Sequence, residues 1–244
     1  MLTVNSEALQ NEKVIIFLRH STTENNEYLR THAPVAWGGK EEFFTDPGLR
    51  DTSLSEKGQQ LVKDLNGRLR GGEQLFDRAS VDLVAVSPLR RTLQTAMIGL
   101  DKVLFDSEHD PTKVVCPLAR ERLYMEADMG RMRSVLEKEF PYFDYSELPK
   151  DDSPWWYEPS ASDPQEEWRP TGKYLCAGEP RLVFGERMIR LKNWLAEREE
   201  KTILLVAHWG TINSLTGKEF KNCEIGTMNF GQLLSDEEIM RANV

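Results

Sequence analysis

Apolar runs of strand length alternate along the chain with amphipathic stretches of helical spacing. VIIFL (Val14 to Leu18) is apolar at every position, the pattern of a strand covered on both faces. LSEKGQQLVKDLNGRLRGG predicts a helix: Ser55 is placed to cap it, Leu61, Leu65 and Leu69 keep helical spacing, and Gly71 and Gly72 close it. VDLVAVS (Val81 to Ser87) predicts a second buried strand that runs into PLRRTLQTAMIGL, where Pro88 suits the first turn of a helix. KVVCPL (Lys113 to Leu118) predicts a third strand and KTILLVAH (Lys201 to His208) a fourth. RLVFGERMIRLKNWLAEREE lies between them as a long amphipathic helix, and TINSLTG follows the fourth strand as another. Strands that alternate with helices predict an α/β fold, a three-layer α/β/α sandwich whose central sheet is mostly parallel with helices on both faces.

One stretch breaks this rhythm. Residues 140 to about 180, including DDSPWWYEPSASDPQEEWRP, are rich in proline, acid and aromatic side chains and show little periodicity. A loop of that length is usually functional, so a lid-type insertion within a single domain spanning residues 1–244 is expected. Trp155, Trp156, Tyr157 and Trp168 predict that it packs down on the body of the protein.

Composition narrows the function classes. The net charge of −9 disfavours nucleic acid or an anionic membrane surface as partner. No apolar stretch approaches the ~20 residues needed to span a bilayer. The N-terminal MLTVNSEALQNEK has neither the basic start nor the apolar centre of a signal peptide, and Cys116, Cys176 and Cys223 form no CxxC pair. A cytoplasmic protein with reduced thiols is therefore the expectation. In a molecule this acidic, any site for an anion must be locally basic, which gives weight to arginines at strand ends.

The ends of the four strands supply such a site. After the first come Arg19 and His20; after the second, Ser87, Arg90 and Arg91; after the third, Arg120, Glu121 and Arg122; after the fourth, His208, Trp209 and Gly210. Ligands of open α/β sheets sit at the carboxyl ends of the parallel strands, so these residues share one rim. Two of the four histidines lie there. Each short motif has an ordinary reading as a surface turn, a solvated helix face, a satisfied core histidine or an exposed glutamate. Their coincidence at one rim does not. Arginine forks match phosphate oxygens, helix N-termini add backbone donors, a neutral imidazole attacks phosphorus, and a carboxylic acid protonates the leaving oxygen.

These residues resemble the signature of the histidine phosphatase (phosphoglycerate mutase-like) superfamily. The Arg-His pair is matched by LRHSTTENN, and a Ser-x-x-x-Arg-x-x-x-Thr run by Ser87, Arg91 and Thr95 in SPLRRTLQTA. A glutamate after a short strand is matched by Glu121 in PLARERL, and His-x-Gly by VAHWGTINSL. The order holds from residue 13 to about 230. MRSVLEKEFPYFDYSEL and NCEIGT look closest to plant- and fungal-type eukaryotic members. The resemblance implies His20 as nucleophile, Glu121 as proton donor, and Arg19, Arg91 and His208 around the phosphoryl group, with His208 as a charged donor. It places Asn26 and Thr23 as further phosphate contacts, implies a small phosphorylated substrate, and requires no metal or cofactor.

Ser21 departs from the glycine usual after that histidine, which would cost strain if the backbone there turns to positive φ. The mutase motif Tyr-Gly-x-Leu-x-Gly-x-Asn-Lys is reduced here to Tyr124 in ERLYMEADMGRMRS. Phosphomonoester hydrolysis is therefore expected, with mutase transfer or an inactive scaffold as the alternatives. Arg131 and Arg133 are expected on a solvated helix face. GRLRGGE is read as a helix cap rather than a phosphate loop, and SPWWYEP as an anchor, with a wall of the substrate pocket as its possible second role.

Overall fold

The computed structural model describes residues 12–105, 108–164, 169 and 171–243. In chain order its strands are β1 (Val14–Arg19), β2 (Phe44–Thr45), β3 (Leu83–Val86), β4 (Thr112–Val115), β5 (Gly172–Lys173), β6 (Thr202–Ala207) and β7 (Ile225–Asn229). Its α-helices are α1 (Glu24–His32), α2 (Glu56–Arg70), α3 (Arg90–Gly99), α4 (Arg133–Glu139), α5 (Arg181–Glu197), α6 (Trp209–Thr216) and α7 (Asp236–Ala242). The residues 1–11 of the N-terminal segment and Trp168 lie outside the described residues.

The expected sandwich forms. The main sheet has the order β4-β3-β6-β1-β7, parallel throughout except for β7, which runs antiparallel to β1. Side chains alternate between its faces. Ile16, Leu18, Val84, Val86, Leu204 and Val206 meet Leu65 and Leu69 of α2 and Leu93 and Ala96 of α3. Ile15, Phe17, Leu83, Ala85, Ile203 and Leu205 meet Phe184, Met188 and Leu191 of α5 and Ile212 and Leu215 of α6. Both faces are covered, which is why the central strands read as unbroken apolar runs.

Among the differences from the sequence reading are two boundaries near prolines and one further strand. β4 ends at Val115, because Pro117 starts a 3-10 turn over Pro117–Ala119. Pro88 falls outside α3, which begins at Arg90. That first N–H is accepted by Asp51 Oδ1 at 2.9 Å, so a carboxylate from a distant loop starts the helix. β7 is an edge strand with only Met228 fully covered, too mixed in polarity to stand out.

The 140–180 stretch is pinned to the body. Phe140, Phe143, Tyr145, Leu148, Trp155 and Trp156 join the α2–α3 side of the core. Asp144 lies along the sheet edge, accepting from Val115 N at 2.9 Å and donating to Lys113 O at 2.8 Å. Trp155 Nε1 donates to Arg131 O at 2.7 Å, and the Arg50 guanidinium lies 4.8 Å from the Trp156 ring centroid. SPWWYEP is thus an anchor, as expected. GRLRGGE closes α2, with Gly71 N donating to Gly67 O at 2.8 Å. Among the described residues no helix is long and apolar enough to cross a membrane.

Replacing Trp155 by alanine removes a buried indole and leaves the Arg131 carbonyl unpaired. The expected loss of stability is about 3–5 kcal/mol by urea unfolding. A loss under about 1 kcal/mol would mean that the insertion is only laid on the core.

Candidate active site

Register brings the site together. Arg19 of β1 pairs with Ala207 of β6, and Val86 of β3 with Val206, so the three strands end level. The ladder runs one step further, with His20 N donating to Ala207 O at 3.0 Å and Ser87 N to Val206 O at 3.0 Å. His20, His208 and Ser87 therefore leave the sheet at one edge. Beside them opens a cavity of about 740 Å³ whose lining includes Arg19, His20, Thr23, Asn26, Arg91 and Glu121. His208 stands behind this lining, fully buried, its ring centroid 5.0 Å from that of His20.

His20 is fixed at three points. Besides its ladder bond, its carbonyl accepts from Asn222 Nδ2 at 2.8 Å, and its Nδ1 lies 2.6 Å from Ser21 O. A carbonyl only accepts, so Nδ1 carries the proton and Nε2 keeps its lone pair. Burial, then the charges of Arg91 and Arg19, hold the imidazole well below its ordinary pKa. It is a neutral base at neutral pH.

The spacing of four in Ser87, Arg91 and Thr95 brings three contacts to one place, Ser87 from just before α3 and the other two from the helix itself. Ser87 Oγ is 2.7 Å from His208 Nε2, Arg91 Nε donates to His208 Nδ1 at 3.3 Å, and Thr95 Oγ1 accepts from Ser21 N at 3.1 Å. Because Arg91 donates to its Nδ1, His208 is a neutral acceptor there. Burial and the nearby Arg91 and His20 hold its pKa well below the ordinary value. The expected charged donor is corrected: two cations and a second imidazole leave no room for another positive charge.

Glu121 is placed by the loop after β4. Its Oε1 accepts from Arg122 N at 2.9 Å and its Oε2 from Gly210 N at 3.1 Å. A Cβ on residue 210 would lie 2.4 Å from Glu121 Oε1, so the carboxyl group requires glycine there. The free backbone donors expected at the two helix N-termini are accordingly shared with carboxyl groups, Asp51 at α3 and Glu121 at α6. Burial, then the charge of Asp128, raises the Glu121 pKa against the pull of its backbone donors and Arg91.

The chain matches the family model of the histidine phosphatase superfamily (branch 1) over residues 15–229. It belongs to that superfamily. It is 30% identical over 144 residues to a probable phosphatase of Schizosaccharomyces pombe, a match spanning 57% of this chain and 55% of that protein. It is 26% identical over 235 residues to a phosphoglycerate mutase-like protein of Arabidopsis thaliana, spanning 86% of this chain and 76% of that one. Among solved structures it is similar to the ecdysone phosphate phosphatase of Bombix mori, with 14% identity, TM-score 0.49, and coverage of 91% of this chain and 92% of that one. It is also similar to a mycobacterial glucosyl-3-phosphoglycerate phosphatase, with 18% identity, TM-score 0.46, and coverage of 91% and 94%.

In this member of the superfamily Ser21 carries no backbone strain, since its φ is not positive. The side chain is fully buried and its Oγ donates to Gly58 O at 2.8 Å, tying the His20 turn to the start of α2. Thr23 and Asn26 form the capping box of α1, with Asn26 N donating to Thr23 Oγ1 at 3.0 Å and Thr23 N to Asn26 Oδ1 at 3.1 Å. The box uses only the Asn26 oxygen, and both residues face the cavity.

Sequence reasoning missed the supports of the Glu121 loop. Arg187, fully buried on α5, donates from Nη1 to Leu118 O and Arg120 O, each at 2.8 Å. Its Nε and Nη2 meet the two oxygens of Glu179 at 2.9 and 2.7 Å. Glu179 also accepts from Arg120 Nη2 at 3.1 Å and Leu123 N at 3.2 Å. The one available signal was an arginine on the apolar face of a long helix. The cavity also takes Trp37, Tyr124 and Trp209 as its aromatic wall. Among their described members, residues 140–180 do not line it.

Glu179→Gln leaves two buried arginines without a counter-charge and is expected to cost about 3–5 kcal/mol in chemical unfolding. The arginines hold the Glu179 pKa below the ordinary carboxylate range, so its contribution is present above about pH 4.3 and is lost as pH falls below it. Ser21→Gly is expected to lose about 1–2 kcal/mol and to leave hydrolysis no faster than wild type. A faster Ser21→Gly enzyme would mean that the serine does strain the turn.

Proposed function

We propose that this chain hydrolyses phosphate monoesters of a small soluble metabolite through a phosphohistidine on His20. The observation that carries the reading is the pairing, in one cavity, of an imidazole kept neutral with its Nε2 lone pair available and a carboxyl group whose pKa burial raises. Nε2 of His20 attacks phosphorus and the P–O ester bond breaks, while Glu121 gives its proton to the departing oxygen. Water then attacks phosphorus, the Glu121 carboxylate takes its proton, and the P–N bond breaks to release inorganic phosphate and restore His20. In this reading Arg19 and Arg91 balance the charge of the transferring group, and Asn26 and Thr23, which line the same cavity, contact its oxygens. His208 steadies Arg91 and Ser87 from behind, as a neutral partner.

The size of the cavity supports a small-molecule substrate. Hydrolysis is favoured over the mutase alternative by the reduced mutase motif, of which only Tyr124 remains; Arg122 and Arg181 line the cavity, but the arginines that follow that motif do not. Arg131 is exposed, and Arg133 pairs with Glu137 on the surface of α4 at 2.6 Å. Neither lines the cavity. An inactive scaffold needs no opposed tuning of His20 and Glu121.

Incubation with an aryl phosphate between about pH 5 and 7.5 is expected to give turnover, reduced at least about a thousandfold in His20→Ala. Rapid acid-free quenching is expected to trap a phosphoenzyme that His20→Ala lacks. The rate falls at high pH as Glu121 loses its proton, and at low pH, well below about 6.5, as His20 gains one. Turnover retained in His20→Ala would rule out the covalent route.

A further inference from the structure

Arg91 divides its nitrogens among three partners. Nε faces His208, Nη1 donates to Ala127 O at 2.9 Å, and Nη2 meets Asp128 Oδ1 at 2.7 Å. Asp128 is buried on the cavity wall, and its other oxygen accepts from Tyr124 N at 3.1 Å and Met125 N at 3.4 Å. Those backbone bonds prevent the carboxylate from turning away from the guanidinium. A carboxyl group thus stands fixed against a cation of the proposed phosphate site, in the place where charge balance alone would favour a bare arginine.

We propose that Asp128 is a positioning residue for phosphoryl transfer, acting through Arg91 and Glu121. It neutralises part of the Arg91 charge so that inorganic phosphate is released, and its negative charge keeps the proton on Glu121 between turnovers. The proposal rests on the hydrolase reading above.

The groups around this pair account for the direction of both effects. Asp128 faces Arg91 from α3, Glu121 and Tyr124 from its own connection, and Cys176 from the 140–180 segment. Glu121 faces Arg19 from β1, Arg91 from α3, Asp128, Tyr124, and the Gly210 N–H of α6. Burial pushes the Tyr124 hydroxyl well up and the Cys176 thiol up to about 12, so neither adds charge at neutral pH. Burial raises both carboxyl groups, and Asp128 takes a hydrogen bond from a guanidinium while Glu121 takes two from backbone N–H groups. Two nearby carboxyls of unequal partners separate into one that ionises and one that holds its proton. The three donors on Asp128 favour its carboxylate form, and its charge raises the pKa of Glu121.

The test compares the wild-type chain with Asp128→Asn, Asp128→Ser and Asp128→Glu, each checked for folding by thermal melting. Orthovanadate affinity is measured by calorimetry, and kcat/KM against pH with an alkyl phosphate whose leaving oxygen needs protonation. The two neutral variants are expected to bind orthovanadate at least about fivefold more tightly while kcat falls, because Arg91 regains its full charge. Their basic limb of kcat/KM is expected to move down by about half a pH unit or more. Asp128→Glu keeps the charge and is expected to stay within about twofold of wild type in orthovanadate affinity. A merely structural carboxylate would weaken oxyanion binding and turnover together. Folded neutral variants with unchanged or weaker orthovanadate binding, or an unmoved basic limb, would overturn the proposal, as would the failure of both to fold. If the wild type binds orthovanadate but hydrolyses no ester, the hydrolase reading fails by itself and the affinities still decide Asp128. A wild type that binds no orthovanadate would overturn both.

Discussion

Parallel pairing of β1 with β6, in the register that sets Arg19 beside Ala207, is the constraint on which the site depends. His20 and His208 are each the next residue along, so the separation of their rings follows from backbone hydrogen bonds. Side chains of a strand alternate with a period of two, and a slip of one residue would exchange the two faces of β1. Ile16 and Leu18 pack toward α2 and α3, and Ile15 and Phe17 toward α5 and α6. A slipped strand would keep apolar side chains on both faces but misfit every neighbour, so close packing on two sides pins the catalytic geometry.

Burying ionisable groups beside this edge is costly, and the structure offsets the cost in distinct ways. The two histidines avoid it by remaining neutral. Arg91 has Asp128, and Arg187 and Arg120 share Glu179. Asp51, pushed up to about 7 by burial, accepts only the first N–H of α3, and its second oxygen has no partner. Burial and crowding by Arg187 bring Arg120 down to about 9. Each arrangement tethers a loop that follows a strand, so the electrostatics of the edge and the rigidity of its loops are one property. The acidic surface of the molecule does not govern this region, because low-dielectric surroundings make close partners outweigh distant charge.

What the sequence reveals follows the same division. VIIFLRH and KTILLVAH are legible because a strand covered on both faces must be apolar throughout. SPLRRTLQTA is legible because its contacts recur every four residues on one helix. α1 escapes detection, since ENNEYLRTH has a weak apolar face and is nucleated by the Thr23–Asn26 capping box. The Arg187 contacts to Leu118 and Arg120 span more than sixty residues of sequence, and no local pattern encodes them. The protonation of His208 is a further case. Its residue type and position were readable, but its neutrality depends on Arg91 and His20 packing around it, which only the fold supplies.

The cavity walls are built on a different plan from the strand ends. The proposed phosphate side comes from β1, α3 and the loop after β4, all braced by the sheet. The opposite side draws Leu29 from α1, Trp37 from the loop after it, Phe184 from α5, and Ala242 and Asn243 from the C-terminal end. The 140–180 segment reaches this wall from behind, where Tyr174 packs on Trp37 and Phe44 with ring centroids 6.1 and 5.3 Å apart. Asn243 is held in turn by bonds to Ser214 Oγ at 3.1 Å and Ile239 O at 2.8 Å. These wall residues belong to separate elements with few shared hydrogen bonds, so each can change without shifting Arg19, His20, Arg91 or Glu121. The proposed reaction would therefore be specified by the sheet edge, and the body of its substrate by side chains that the sheet does not constrain.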